Sequence, residues 1–229
     1  MVVLDSGSVD DTASIAASCG AHVIQAPDWQ GFGIQKNRAL QAATCDWVLS
    51  LDADERLTPE LVQEIQSEIS KAEKQSMSVV LAIPRLTNFC GVWIKHCGWT
   101  PDYVYRVFKR GQASFSNDLV HERLLFDDKT TTVVRLKNPI LHYSYPAPAV
   151  FWSKLQRYSV EWATQKYAEG KRASVLRAAL SGLAAFVKSY VFRLGFLDGS
   201  MGFAVCMLQA QFAFGKYFQL HCMGRDKKG

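Results

Sequence analysis

No pair among the six cysteines (19, 45, 90, 97, 206 and 222) stands at C-x-x-C spacing, so nothing suggests a redox motif or a ribbon-type zinc site. Cys90, His96 and Cys97 lie close in sequence but lack the spacing of a metal-ligand set. Met1-Val-Val-Leu-Asp offers neither a basic segment nor an apolar h-region, so no signal peptide is visible. Reduced cysteines in a cytoplasmic protein are the simplest account. No uncharged run reaches the ~20 apolar residues of a spanning helix. The longest candidate, between Asp198 and Lys216, has 17 residues and is interrupted by Gln209 and Gln211. Ala178 to Val187 is shorter still and ends at Lys188.

What is present is a globular composition, 48% hydrophobic and 12% aromatic over 229 residues. That excludes a disordered chain and is enough for one domain with an appended segment. The net charge of +5 hides a split. Residues 1–150 hold 14 Lys+Arg against 17 Asp+Glu (−3), and residues 151–229 hold 12 against 4 (+8). An acidic front and a basic back point to two jobs.

The chemistry centres on Trp47-Val-Leu-Ser-Leu-Asp52-Ala-Asp54-Glu55, an apolar run that ends in carboxylates. It reads as a buried strand delivering Asp52 and Asp54 to the carboxyl edge of a sheet, where open α/β folds bind ligands. Two carboxylates two residues apart can converge on one Mg²⁺-like cation, whose remaining positions go to phosphate and water. A solvated acidic turn is the plainer alternative.

Upstream, Val2-Val-Leu4 is a strand ending at Asp5, and Ser6 to Thr12 is a turn with several helix caps, Asp10 among them. A helix to about Cys19, a strand over 21–24 and a helix over 34–44 follow. Lys36 near the start of that last helix can help hold a phosphate, or can simply be a surface lysine. Thr58-Pro59-Glu60 is an N-cap, a proline at N1 and an early acid, opening a helix to about Glu73. This alternation, with a further strand over 79–83, predicts a largely parallel, doubly wound sheet. From 85 to about 148 short extended pieces alternate with loops. From Val150 the chain reads helical, with breaks near Gly170 and between Gly195 and Gly199.

Leu4-Asp-Ser-Gly-Ser8, Gly33-Ile-Gln-Lys-Asn-Arg-Ala39, Leu51-Asp-Ala-Asp-Glu55 and Val120-His-Glu122 occur in an order that resembles family 2 glycosyltransferases of the GT-A fold. Trp29-Gln-Gly-Phe-Gly33, Arg106-Val-Phe-Lys-Arg-Gly111 and Gly195-Phe-Leu-Asp-Gly199 resemble, more narrowly, the lipopolysaccharide core enzymes that add glucose to an inner-core heptose. The resemblance implies an α/β, GT-A, Rossmann-like domain over 1–149. A basic helical extension over 150–229 would dock on the domain or on an anionic inner-membrane surface.

It also implies an inverting transfer of a hexose, glucose by expectation, from a nucleotide-sugar such as UDP-glucose to lipopolysaccharide core, with Mg²⁺ or Mn²⁺ and no nucleic acid. By the same resemblance Asp5 accepts a hydrogen bond from the nucleobase, Lys36 neighbours the donor phosphates, and Asp52 faces the ribose or the metal. Asp54 is the metal ligand, with His121 a candidate to complete the shell. Glu122 is the candidate base, ahead of Asp118 and Asp102. Trp93 and Trp99 can stack on sugar rings or fill the core. The expected location is the cytoplasmic face of the bacterial inner membrane.

Family members begin with an earlier strand, loop and helix, so the resemblance implies a missing first strand, a truncated or misassigned start, and a form that is unstable or binds donor poorly. Two rivals stand beside this reading. One is a haloacid-dehalogenase-type phosphotransferase, which also places Asp-x-Asp after a strand but carries Thr, Ser or Val where Arg56 stands. The other is a non-catalytic, membrane-associated binding protein on a decayed transferase fold.

Overall fold

A computed structural model describes residues 1–117 and 122–225. In chain order the elements are β1 (Val2–Asp5), α1 (Thr12–Ser18), β2 (His22–Gln25), α2 (Phe32–Gln41), β3 (Trp47–Leu49), β4 (Glu55–Arg56), α3 (Pro59–Lys74) and β5 (Val79–Phe89). Then come β6 (Val92–Ile94), β7 (Asp102–Lys109), β8 (Ala113–Phe115), β9 (Leu124–Phe126), β10 (Thr132–Arg135) and β11 (Ile140–Tyr145). The helices α4 (Pro148–Ala168), α5 (Val175–Val187) and α6 (Gly199–Arg225) complete the chain, with a π-turn at Lys188–Phe192 and a 3₁₀ turn at Gly195–Asp198 between the last two.

The fold is α/β, and its contacts divide it into two compact units that are discontinuous in sequence. The first holds Met1–Ala53, Leu57–Pro84 and Tyr103–Pro139; the second holds Asp54–Arg56, Arg85–Asp102 and Ile140–Gly229. Residues 85–102 and 140–149, grouped by the sequence with the first domain, thus pack with the helical part. Strand β5 gives its first half to one unit and its second half to the other.

In the first unit β1 and β2 pair in parallel, Val3 opposite Val23. Separately, β3 pairs antiparallel with β7, β7 neighbours β5, and β10 runs parallel to the start of β5. The sheet is therefore mixed, because the chain returns through β7 as well as through helical crossovers. Val80, Phe108 and Phe115 form the core here, covered by Leu40, Val48 and Phe126. Helix α3 begins where its caps predict: Thr58 Oγ1 accepts from the Leu61 N–H at 3.1 Å, and Pro59 occupies the first helical turn. Its apolar positions bury Leu61, Ile65 and Ala72, the two larger ones contributing about 1.5–3 kcal/mol each. Glu64, on the same helix, accepts the backbone N–H of Lys137 and of Asn138 (2.9 Å each), which ties the end of β10 to α3.

In the second unit the later half of β5 pairs antiparallel with β6 and parallel with β11, while β11 pairs antiparallel with β4. Phe89, Ile94, Cys97, Phe151, Val205 and Cys206 form its core, with Trp99 and Tyr145 packed against them. Trp99 is thus core packing; Trp93 meets Tyr143 edge-on at 5.2 Å. The cysteines are all free. His96 and Cys97 turn to Asp198 instead of to Cys90: the His96 N–H donates to one carboxylate oxygen (2.8 Å), and Nδ1 pairs with the other at 2.7 Å.

Helices α5 and α6 approach closely at Gly182, where a Cβ would stand 3.2 Å from the Ala210 carbonyl oxygen and from Phe214. The π-turn carries the helix past Lys188, so Val175–Phe192 forms 18 residues long and apolar enough to cross a membrane by length and composition. The sequence ends that run at Val187; backbone bonding continues it through the lysine.

Candidate active site

Four consecutive residues of α2 fasten it to different neighbours. Gln35 is buried, and its Nε2 donates to the Ala26 carbonyl (3.1 Å) and to Ser6 Oγ (3.0 Å), fixing the loop after β1. Asn37 exchanges two 2.8 Å bonds with the Phe115 backbone, its Nδ2 donating to the carbonyl and its Oδ1 accepting from the N–H. Arg38 pairs with Asp28 at 2.7 Å. Lys36 is left pointing the remaining way, with its ammonium 2.9 Å from Asp52 and 2.7 Å from Glu122. Gly31 makes this start possible, holding φ at 102° before the first turn.

Asp52 follows β3, whose register against β7 (Leu49 opposite Val107) brings Arg106 alongside. The Arg106 guanidinium bonds the second oxygen of Asp52 at 2.5 Å. Burial opposes ionisation of Asp52, but Arg106 and Lys36 outweigh it and bring the pKa down to about 2. Asp52 is thus a carboxylate ionised at neutral pH and held between two cations, one of them buried. Arg106 carried no assigned role in the sequence, although it opens one of the motifs behind the family resemblance.

Glu122 is about one-sixth exposed (16%). Its neighbour Arg123 exchanges two bonds with Ser116, its N–H donating to Oγ at 2.9 Å and its carbonyl accepting from the Ser116 N–H at 2.8 Å. Asp5 is buried at the end of β1, where its carboxylate accepts from the Ser8 hydroxyl (2.5 Å) and N–H (3.2 Å). The hydroxyl bond above all holds Asp5 below the ordinary carboxylate range. Asp10, expected to cap α1, stands one residue before the N-cap position, which is Asp11, and accepts from the Thr12 N–H at 3.1 Å in a local turn. The runner-up Asp102 is engaged by Arg85. His121 and Asp118 lie outside the described residues.

Asp54 belongs to the second unit. Its carboxylate is 44% exposed, and His142 Nε2 stands 3.3 Å from it. The Tyr143 N–H donates to its carbonyl at 2.8 Å, part of the β11–β4 register that sets His142 opposite Glu55. His142 Nδ1 is buried with no hydrogen-bond partner among the described residues.

An accessible carboxylate such as that of Asp54 fits a hard divalent cation that completes its shell with phosphate and water. Among the described residues no three His, Cys, Asp or Glu side chains gather as a metal site. His142 was not singled out in the sequence.

Residues 1–110 match the family model described as glycosyl transferase family 2. A glycosyltransferase of Rickettsia prowazekii is 31% identical over 226 residues, covering 96% of this chain and 76% of the relative. The lipopolysaccharide core biosynthesis glycosyltransferase LpsC of Rhizobium meliloti is 27% identical, over 97% of this chain and 84% of its own. Among solved structures, S. aureus TarS (residues 1–349) superposes with a TM-score of 0.44 at 14% identity, covering 99% of this chain and 82% of that one.

Proposed function

Since this chain belongs to glycosyltransferase family 2, we propose that it is an inverting hexosyltransferase, moving glucose from UDP-glucose to the inner core of lipopolysaccharide. The observation that carries the reading is Lys36, whose ammonium spans Asp52 and Glu122 at 2.9 and 2.7 Å. One cation, one carboxylate ionised at neutral pH and one partly buried acid meet there at a strand end.

In this assignment Glu122 takes the proton of the acceptor hydroxyl as that oxygen attacks the anomeric carbon. Lys36 shares charge with the departing diphosphate, and Asp52 holds Lys36 in place and faces the ribose. Asp5, already oriented by Ser8, accepts from the nucleobase. Family 2 enzymes commonly use divalent metal ions; Mg²⁺ or Mn²⁺, bound through Asp54, would neutralise charge on the leaving diphosphate. The likeness to LpsC, named for lipopolysaccharide core biosynthesis, supports the acceptor class. Family membership displaces the phosphotransferase alternative.

The same proposal places the protein at the cytoplasmic face of the inner membrane. Leu176, Leu180, Leu183 and Val187 are exposed at helical spacing on α5, and Phe203, Met207, Phe214 and Phe218 are exposed on α6. Such a face beside basic residues suits an anionic leaflet.

The test is donor hydrolysis and transfer across a panel of nucleotide sugars, with and without Mg²⁺ or Mn²⁺. Glu122→Gln should keep donor affinity and lose transfer by on the order of 10²–10⁴. Equal loss of donor binding would make Glu122 structural. Tight donor binding without turnover on any acceptor would return the protein to the class of non-catalytic binders.

A further inference from the structure

A cavity of about 340 Å³ opens in the second unit, lined by residues of α4, of the turn that follows it, of α5 and of α6. Lys166, Lys171, Arg172 and Arg177 line it together with Trp162 and Tyr217. Gathering four cations in one place is unfavourable unless anions share it. Glu169 supplies one, pairing with Lys166 at 2.8 Å and Lys171 at 3.2 Å.

Neither arginine has a carboxylate within 4.0 Å among the described residues. Arg172 uses Nη1 on the Lys171 carbonyl at 2.8 Å and lies over the Tyr167 ring at 4.0 Å. Its Nε and Nη2 have no hydrogen-bond partner among the described residues. Arg177 lies over Tyr217 at 5.2 Å, and the Tyr217 ring is itself braced edge-on by Trp162 at 5.0 Å. Both guanidinium groups thus lie over aromatic rings, and Arg172 also donates to backbone carbonyls, with no carboxylate engaging either among the described residues.

The adjoining helix start adds to the field. Ser174 Oγ caps α5 by accepting from the Arg177 N–H at 3.1 Å, and no acid occupies the first turn to oppose the dipole. The Ala173 carbonyl bonds His221 Nδ1 at 3.0 Å, which pins the turn to α6.

We propose that this cavity binds a phosphate group carried on a small organic body, a sugar or a lipid headgroup. The guanidinium forks of Arg172 and Arg177 match phosphate oxygens, while Lys166 and Lys171 add Coulomb attraction. The Trp162 and Tyr217 rings supply an apolar wall for the carbon skeleton. The volume lies at the low end of small-molecule pockets, which suits one phosphorylated ring or headgroup better than a nucleotide sugar.

The test uses the full chain and an Arg172→Gln/Arg177→Gln variant. Each is titrated calorimetrically with glucose 6-phosphate and with glucose, and co-sedimented with phosphatidylcholine vesicles with and without phosphatidic acid. The wild type should bind at least one phosphorylated probe in preference to its phosphate-free counterpart. The variant should bind that probe about tenfold or more weakly. Response to glucose 6-phosphate assigns the site to sugar phosphates; response to phosphatidic acid alone assigns it to headgroups.

An unchanged thermal midpoint and donor hydrolysis rate show that the variant is folded. Should it unfold, Arg172→Lys/Arg177→Lys keeps the charge and removes the forks, and should still weaken binding several-fold. Equal binding by wild type and variant, or no preference for the phosphorylated probe, overturns the proposal. Neither measurement reads sugar transfer, so the transferase assignment stands or falls separately.

Discussion

Replacing Arg106 by methionine removes the buried partner of Asp52 and keeps an unbranched chain in its place. Asp52 titrates at about 2 in the folded protein, against an ordinary 3.8. A difference of about 1.8 in pKa corresponds to about 2.4 kcal/mol. The carboxylate is 35% exposed, however, and screening reduces the usable part to about 1–1.5 kcal/mol, of which Lys36 carries a share. A double-mutant cycle of Arg106→Met with Asp52→Asn should therefore return a coupling near 1 kcal/mol in urea unfolding at about pH 7.

The sign of the pH dependence follows from the lowered pKa. Asp52 ionises more readily folded than unfolded, so its stabilisation is complete above pH 3.8 and is lost as pH falls through about 2. Near pH 3 the coupling should be roughly half its neutral value. A neutral-pH coupling below about 0.3 kcal/mol would refute the reasoning, because the two groups would then be no more linked than distant surface charges.

Asp54→Asn keeps the size of the side chain but removes its charge; metal-dependent donor binding should weaken and turnover nearly vanish, whereas ordinary activity would remove Asp54 from the mechanism. Gly202→Ala would drive a methyl group into the Gly195 carbonyl and the Asp198 side chain, and should cost at least about 1–3 kcal/mol in urea or thermal unfolding. An unchanged midpoint would mean that the loop before α6 yields. Leu180→Glu/Leu183→Glu should reduce binding to anionic vesicles, and salt should weaken the wild-type attachment. Release by detergent alone would favour an inserted α5.

Which parts were legible in the sequence depends on how far apart the cooperating residues lie. The acidic strand end, the Thr58-Pro59 cap and the Gly195–Gly199 break announce themselves within a few residues, and the elements stand where those signals put them. Asp52, Lys36 and Glu122 were nameable through motifs, but their meeting point was not, because 16 and 86 residues separate Lys36 from its two partners. Arg106 and His142 sit inside the strands β7 and β11, far in sequence from the carboxylates they meet. Only the pairings β3–β7 and β11–β4 bring them to their carboxylates, and register is not written locally.

The Gln35-Lys-Asn-Arg38 run shows how a proposed phosphate-binding lysine can stand within one contiguous stretch of anchoring residues. On a helix, four successive residues point about 100° apart and so address four directions from one turn. Here three of those directions are spent on fixing α2, to the β1 loop through Gln35, to β8 through Asn37 and to Asp28 through Arg38. The fourth carries Lys36 to two carboxylates. A lysine on an unanchored helix would sample many positions, and its long side chain would lose about 2 kcal/mol of rotamer entropy on binding a phosphate. With the helix fixed on three sides and both carboxylates already holding the ammonium, much of that ordering precedes the ligand. On the proposed assignment, the residues that anchor α2 serve function by preorganising one charge.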